Sequence, residues 1–266
     1  MSTPALPQVS APPRSGNLEV LTISLLCTVL PIGGALYLSP RRGWFTVALA
    51  MTIYLLFLGR WICGRPLGAL VNERNLMSLS RFQMLAWTIL LLSAFFTVAL
   101  KRLHVLSANH AAVPLNVGMV WQLWALMGIS ATSLVGTPLL LSPKATQSPD
   151  PKSINKAASL LNEPAAAIQA NSQGNLYANA KMSDASLMDM FQGDDVGDTA
   201  YVDVSKLQMF YFTVIAILAY AYALYSAMGN IYPQEGFPMP VPSDTLVGLL
   251  GISHAAYLTS KTTQHS

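Results

Sequence analysis

Few side chains in this 266-residue chain combine a chemically useful type with a place inside an apolar run. His254 is the clearest. It lies seven residues before Lys261, about 10 Å from the segment's end at 1.5 Å per helical residue, and an ionisable group at such depth is a functional suspect. An imidazole there relays protons or holds a ligand; a neutral histidine bonded to a neighbouring helix is the simpler reading. Ser130 and Ser253 occupy similar apolar contexts and read first as polar contacts between helices, second as the lining of a permeation path. Gln83 and Gln208 read first as helix caps, second as paired polar groups along a cavity. The acids Asp184, Asp189, Asp194, Asp195, Asp198 and Asp203 do not follow the calcium-loop spacing, and no bidentate Glu follows them. They read as a solvated acidic stretch. His104, His110, Cys27 and Cys63 form no ligand set, disulfide framework or zinc site. P-loop, GxSxG and HExxH motifs are absent from the sequence. No catalytic, cofactor-binding or metal-ligating residue is therefore assigned, and an enzyme is the least supported class.

The elements that must position these residues are hydrophobic helices. The chain is 53% hydrophobic and 10% charged, where a soluble domain is about a quarter charged. Its apolar residues gather in runs that approach the 20 or so residues needed to cross a bilayer core of about 30 Å. Six segments qualify: Leu18 to Leu38, Trp44 to Leu58 running on to Ile62, Phe82 to Leu100, Val117 to Leu141, Leu207 to Met228, and the short Thr245 to Thr259. The first is preceded by a proline-rich leader with one cation and followed by Ser39-Pro40-Arg41-Arg42, a poor cleavage site, so it reads as a retained span. The expected fold is all-α, an integral membrane protein of six transmembrane helices.

Orientation follows from the cations near span ends. With the N-terminus inside, Arg14, Arg60, Arg65, Arg74, Arg81, Lys144, Lys152, Lys156, Lys181, Lys206 and Lys261 face the cytoplasm, and Arg41, Arg42, Lys101 and Arg102 face outward, eleven against four. Both termini are expected in the cytoplasm. The net charge of +3 sits in short loops beside apolar runs, where its attractor is an anionic lipid surface and not nucleic acid.

Residues 142–203 differ from the rest. They are rich in Ser, Asn, Gln, Ala and Asp, too poor in large apolar groups to offset the entropy of ordering. Residues 142–183 are expected to be a disordered cytoplasmic linker. Residues 184–203 are expected to be an acidic amphipathic juxtamembrane segment, with Asp184, Leu187, Met190, Phe191, Asp194 and Asp195 docking a partner. The remaining divisions are a flexible N-terminus at 1–17, a transmembrane hairpin at 18–63, two further hairpins at 64–141 and 204–261, and a tail at 262–266.

The last two hairpins look like copies of one unit. Leu79-Ser80-Arg81-Phe82-Gln83-Met84 is matched by Val204-Ser205-Lys206-Leu207-Gln208-Met209, and Leu126-Met127-Gly128-Ile129-Ser130 by Leu249-Leu250-Gly251-Ile252-Ser253; the Gln-to-Gly separations are 45 and 43 residues. Both hairpins start on one side, so the repeat is parallel. Ser80 with Gln83, and Ser205 with Gln208, have the spacing of a capping box. Gly128, Thr132 and Gly136, and their counterparts Gly251, Ala255 and Thr259, recur every four residues, a spacing that lets helix backbones approach closely.

Gly64-Arg65-Pro66-Leu67-Gly68, Ser78-Leu79-Ser80-Arg81-Phe82-Gln83-Met84 and Gly251-Ile252-Ser253-His254-Ala255 resemble a group of uncharacterised bacterial multi-pass membrane proteins, over roughly residues 61–141 and 187–260. That resemblance implies a bacterial inner-membrane location and carries no activity or cofactor. The functional expectation is a membrane anchor, scaffold or assembly subunit that meets the bilayer and a protein partner or further copies of itself, recruiting the partner through the linker. The alternative is a small channel or transporter with its pathway at the repeat interface.

Overall fold

A computed structural model describes residues 17–109, 117–231 and 237–263. The expected flexible N-terminus through residue 16, His110 and residues 264–266 lie outside the described residues. Within them are eight α-helices: α1 (Asn17–Tyr37), α2 (Pro40–Cys63), α3 (Leu79–Asn109), α4 (Trp121–Leu141), α5 (Pro151–Leu161), α6 (Ala165–Asn171), α7 (Val204–Ala227) and α8 (Asp244–Thr262). Two short strands, β1 (Val117–Gly118) and β2 (Phe237–Pro238), pair in parallel with Val117 opposite Phe237.

Five helices, α1, α2, α3, α4 and α7, are long and apolar enough to cross a membrane. Their outer faces carry exposed Leu21, Leu25, Val29, Phe45, Ile53, Ile215 and Leu218. Apolar surface on that scale is what a bilayer, not water, would solvate. The helix α8 is not among the five. Its 19 residues include Asp244, Ser253, His254 and Lys261, which lower its mean hydropathy.

The hairpin of α1 and α2 closes where Gly34 lies against Thr46 and Gly43 against the Gly34 carbonyl; a Cβ on Gly43 would sit 2.9 Å from that oxygen. Gly64 ends α2 in the left-handed region at φ 71°, a conformation glycine adopts without a Cβ penalty. The hairpin leans on α3, and Lys101 donates to the Leu36 carbonyl at 2.9 Å. The helices α3, α4, α7 and α8 enclose the main core, in which Trp87, Leu91, Leu123, Leu126, Leu224 and Leu250 are nearly inaccessible.

Three expectations are corrected here. The helix α3 runs past Leu100 through Lys101 and Arg102, which are buried. These cations do not lie in an outer loop: their stems pack and their heads reach backbone carbonyls, Arg102 donating to Ile231 at 3.2 Å.

The segment expected to be a disordered linker is folded. Pro151 opens α5, Asn162 closes it at φ 55°, and Pro164 precedes α6. Ile154, Ala157 and Ile168 pack on Val196 as a small core of their own. The composition misleads because the few apolar groups of this segment are completed by residues beyond it: Val196 closes its core, and Ala185 and Met190 join Val71, Met77, Leu79, Met209 and Tyr257 in a second cluster at the helix ends.

Residues 184–203, finally, expected as an amphipathic surface segment, fold inward, with Asp189, Met190, Asp194, Asp195 and Val196 buried. They contain the 3-10 turn Leu187–Phe191 and the bridge between Gln192 and Val202. Residues 142–203 thus make a cap over one end of the four-helix unit.

Candidate functional site at the capped end

The cap is held by buried charge. Asn72 accepts hydrogen bonds from the backbone N–H groups of Arg74 and Leu76 at 3.0 and 3.1 Å, which fixes the loop that aims Arg74 at the cap. Arg74 Nη2 lies 2.5 Å from Asp194 Oδ1, and its Nη1 donates to the carbonyls of Tyr177 and Asp194. The other carboxylate oxygen of Asp194 meets Lys261 Nζ at 2.5 Å and Lys206 Nζ at 3.3 Å. Lys261 also reaches Asp203 at 3.1 Å. A further buried pair joins Lys144 to Asp195 at 2.8 Å. Four elements converge on one point: the loop before α3, the cap, the first turn of α7 and the last turn of α8.

Burial alone would raise the carboxyl of Asp194, but Lys206, Lys261 and Arg74 outweigh it and hold Asp194 well below the usual carboxylate range. Asp203 is lowered in the same way, with Lys261 overcoming burial. Asp189 goes the other way: burial raises it, against the backbone N–H groups of Ser186 and Met77 that it accepts.

Beneath the cap a seam of polar side chains enters the helices. Tyr257 Oη on α8 accepts from Ser80 on α3 at 3.3 Å and from Thr137 on α4 at 3.2 Å. One turn deeper, Ser133 Oγ and His254 Nδ1 share a hydrogen bond of 2.5 Å. Ser130 and Ser253 follow, both buried, and Ser253 Oγ has no partner among the described residues. Beside this seam Gln83 donates to Thr213 on α7 at 2.5 Å and leaves its Oε1 unpartnered among the described residues.

A cavity of about 700 Å³ opens between the cap and the adjoining ends of α3 and α4. Its rim carries Asn72, Glu73, Arg74, Ser78, Arg81 and Gln173; its floor is Met84, Leu85, Leu134, Pro138 and Leu141. Ser80 and Thr137 line it as well, so the groups that bond Tyr257 are shared by cavity and seam. Pro138 lacks the N–H that would bond the Leu134 carbonyl one turn earlier.

The residues singled out from the sequence fall into two groups. His254, Ser130, Ser253 and Gln83 come together in the seam. The others do not serve as expected. Ser80 is inside α3, whose N-terminal cap is Ser78, its Oγ accepting from Arg81 N at 3.4 Å. The cap of α7 is Asp203, which accepts from the N–H groups of Ser205 and Lys206. Ser205 itself donates to Asp203, and Gln208 is exposed. The N-caps therefore lie two residues earlier than expected, and with Arg81 and Lys206 at the third helical position neither forms a capping box.

The small-residue stripe is corrected too: Gly128, Thr132, Ala255 and Thr259 are exposed, and only Gly136, near Leu258, and Gly251, near Ile129, face a partner helix. Of the proposed docking residues, Asp194, Asp195 and Met190 are buried, Phe191 stacks edge-on against Phe210, and Asp184 and Leu187 remain exposed. Asp194 and Asp195 are buried because Arg74, Lys261 and Lys144 replace the water they leave.

The sequence places Arg74, Lys144, Lys206 and Lys261 among the cytoplasmic cations and does not reveal them as buried partners of carboxylates. Sequence reasoning also missed Ser133, Thr137 and Tyr257, although Ser130, Ser133 and Thr137 share one face of α4 by their spacing. Among the described residues no group of three His, Cys, Asp or Glu side chains is placed to hold a metal.

The class defined is an α-helical protein in which five helices can span a bilayer, capped at one end by a folded polar segment. No family model matches the chain, and neither a curated protein nor a solved structure matches it.

Proposed function

We propose that the chain is a six-span protein of the bacterial inner membrane, with both termini cytoplasmic, whose four-helix unit carries an entry path for a small solute from the capped side, as a channel or carrier. The sixth span is α8. Its mean hydropathy understates its fitness, because Ser253, His254 and Tyr257 are buried against neighbouring helices and Lys261 is neutralised by Asp194. The parallel repeat is supported by helix starts at the matching residues Leu79 and Val204, and by β1 and β2, which precede α4 and α8 and pair in parallel.

The observation that carries the path is that Ser80 and Thr137 both line the cavity and both bond Tyr257. The cavity thereby continues into hydrogen-bonding side chains that extend about 10 Å from Thr137 to Ser130 at helical rise. The anchor reading loses its main support, because the cap's carboxylates are used internally. Exposed Leu187 and Met188, 52% and 63% accessible, are what still favour a docked partner as the second reading.

Cysteine accessibility tests the path without knowledge of the solute. In a Cys27→Ser, Cys63→Ser background, a membrane-impermeant methanethiosulfonate should label Thr137→Cys and Ser133→Cys in inside-out vesicles and leave outward-facing Leu218→Cys unlabelled. Absence of label at Thr137→Cys from the cytoplasmic side would overturn the path.

A further inference from the structure

The cavity under the cap is graded from polar to apolar along the helix axes. Its size lies within the range of about 300–1,000 Å³ found for small-molecule sites. Arg81 and Ser78 stand at the start of α3, with Met84 and Leu85 a turn further in; Leu141 stands at the end of α4, with Pro138 and Leu134 deeper. A molecule that satisfies both ends is itself an amphiphile.

The charge of its head follows from which rim groups are free to change partner. Arg74 is committed: it is 8% accessible and bound to Asp194 and two carbonyls. Arg81 is not. Its one charged partner among the described residues, Glu73 at 2.5 Å, has a side chain 74% accessible, and an exposed pair of this kind adds little to stability. An incoming anion can take the Arg81 guanidinium while Glu73 returns to water at little cost. Behind the rim, Asp194 and Asp203 engage Arg74, Lys206 and Lys261, so of the two cations that line the cavity, Arg74 and Arg81, it is Arg81 that can turn to an incoming anion.

We infer that this cavity binds an anionic amphiphile, a single acyl chain bearing a carboxylate or phosphate, with its head on Arg81 and its chain between α3 and α4. The inference rests on the reading of the cavity as an entry site and names what enters. The same chemistry is presented by a free fatty acid from the cytoplasm and by an anionic phospholipid from the inner leaflet.

The test uses the full-length chain in phosphatidylcholine nanodiscs with 11-(dansylamino)undecanoate as probe, read by fluorescence against empty discs. The expected result is saturable binding, at least tenfold weaker for the corresponding dansyl alcohol, at least tenfold weaker for Arg81→Gln, and lost in Leu134→Trp, which fills the floor. Glu73→Gln should tighten binding severalfold, because it releases Arg81; a variant that merely damaged the fold could not do so. Palmitate displacing the probe identifies a free acid as occupant, and phosphatidylglycerol doped into the disc displacing it identifies a bilayer lipid. Displacement by neither, equal binding of the alcohol, or unchanged affinity in Glu73→Gln and Leu134→Trp would overturn the inference. Probe binding without label at Thr137→Cys would sink the path and leave the site; label without probe binding would sink the ligand class alone.

Discussion

Arg74 and Asp194 are 120 residues apart in the chain and meet at 2.5 Å with both side chains nearly inaccessible. Their contact joins the loop before α3 to the cap, and through Asp194 to Lys206 of α7 and Lys261 of α8. Removing one partner of a buried pair leaves a charge that neither water nor protein compensates, at a cost of about 3–5 kcal/mol. Asp194→Asn should therefore release the cap: heat unfolding in detergent should show the loss, and trypsin should cleave at Lys152 and Lys156 in the folded state. A variant as resistant as the parent would remove the cluster from any role in holding the cap.

The same cluster sets the acid response. Asp194 and Asp203 lie below the ordinary carboxylate value in the folded chain. Each contributes stability that is complete above its unfolded value of about 3.9 and is lost as pH falls through its lower folded value. Asp189 has the opposite sign: burial raises it, so its contribution is present below the unfolded value and lost as pH rises through the folded one. With two carboxylates against one, cap amides such as Val196 N, bonded to Asn175, should stay protected from pH 7 to pH 5 and open below about pH 4. Hydrogen exchange corrected for the intrinsic rate reads this, and protection that collapses between pH 7 and pH 5 would contradict it.

The long helices were legible because apolar runs reveal spans whatever their partners. Which face of each helix turns inward was not. A helix apolar on all sides offers no moment to orient it, and the glycine spacing at Gly128 and Gly136 points to a contact face, whereas the inward stripe is buried Ser130 and Ser133 with half-buried Thr137. The cap was hidden for a different reason. Its composition is that of a disordered segment, and what orders it is pairing with Arg74, Lys206 and Lys261, distant in sequence, whose charges also fit the rule for cytoplasmic loops. Local pattern cannot distinguish a cation that faces headgroups from one that faces a buried carboxylate.

The orientation of α4 gives a paired test. Nothing lies within 4 Å of a Cβ built on Gly128, whereas one on Gly136 meets Leu258 at 3.4 Å. Gly128→Leu should change stability by no more than about 0.5 kcal/mol, and Gly136→Leu should cost about 1–3 kcal/mol through overpacking. Denaturation in detergent measures both, and equal costs would mean that the stripe expected from sequence is the interface after all.

The two glutamines separate sequence symmetry from structural role. Gln83 and Gln208 occupy matching places in the repeated motif, yet Gln83 is inaccessible and donates to Thr213 while Gln208 is exposed. Gln83→Leu removes a bond between helices that model systems value at about 0.6–2 kcal/mol and leaves Thr213 to find another partner, so it should destabilise the α3–α7 contact by that amount. Gln208→Leu should fall within about 0.5 kcal/mol of the parent. If both residues capped their helices, the two losses would be equal. A double variant no weaker than Gln83→Leu alone, measured under the same denaturation, assigns the whole effect to the buried glutamine.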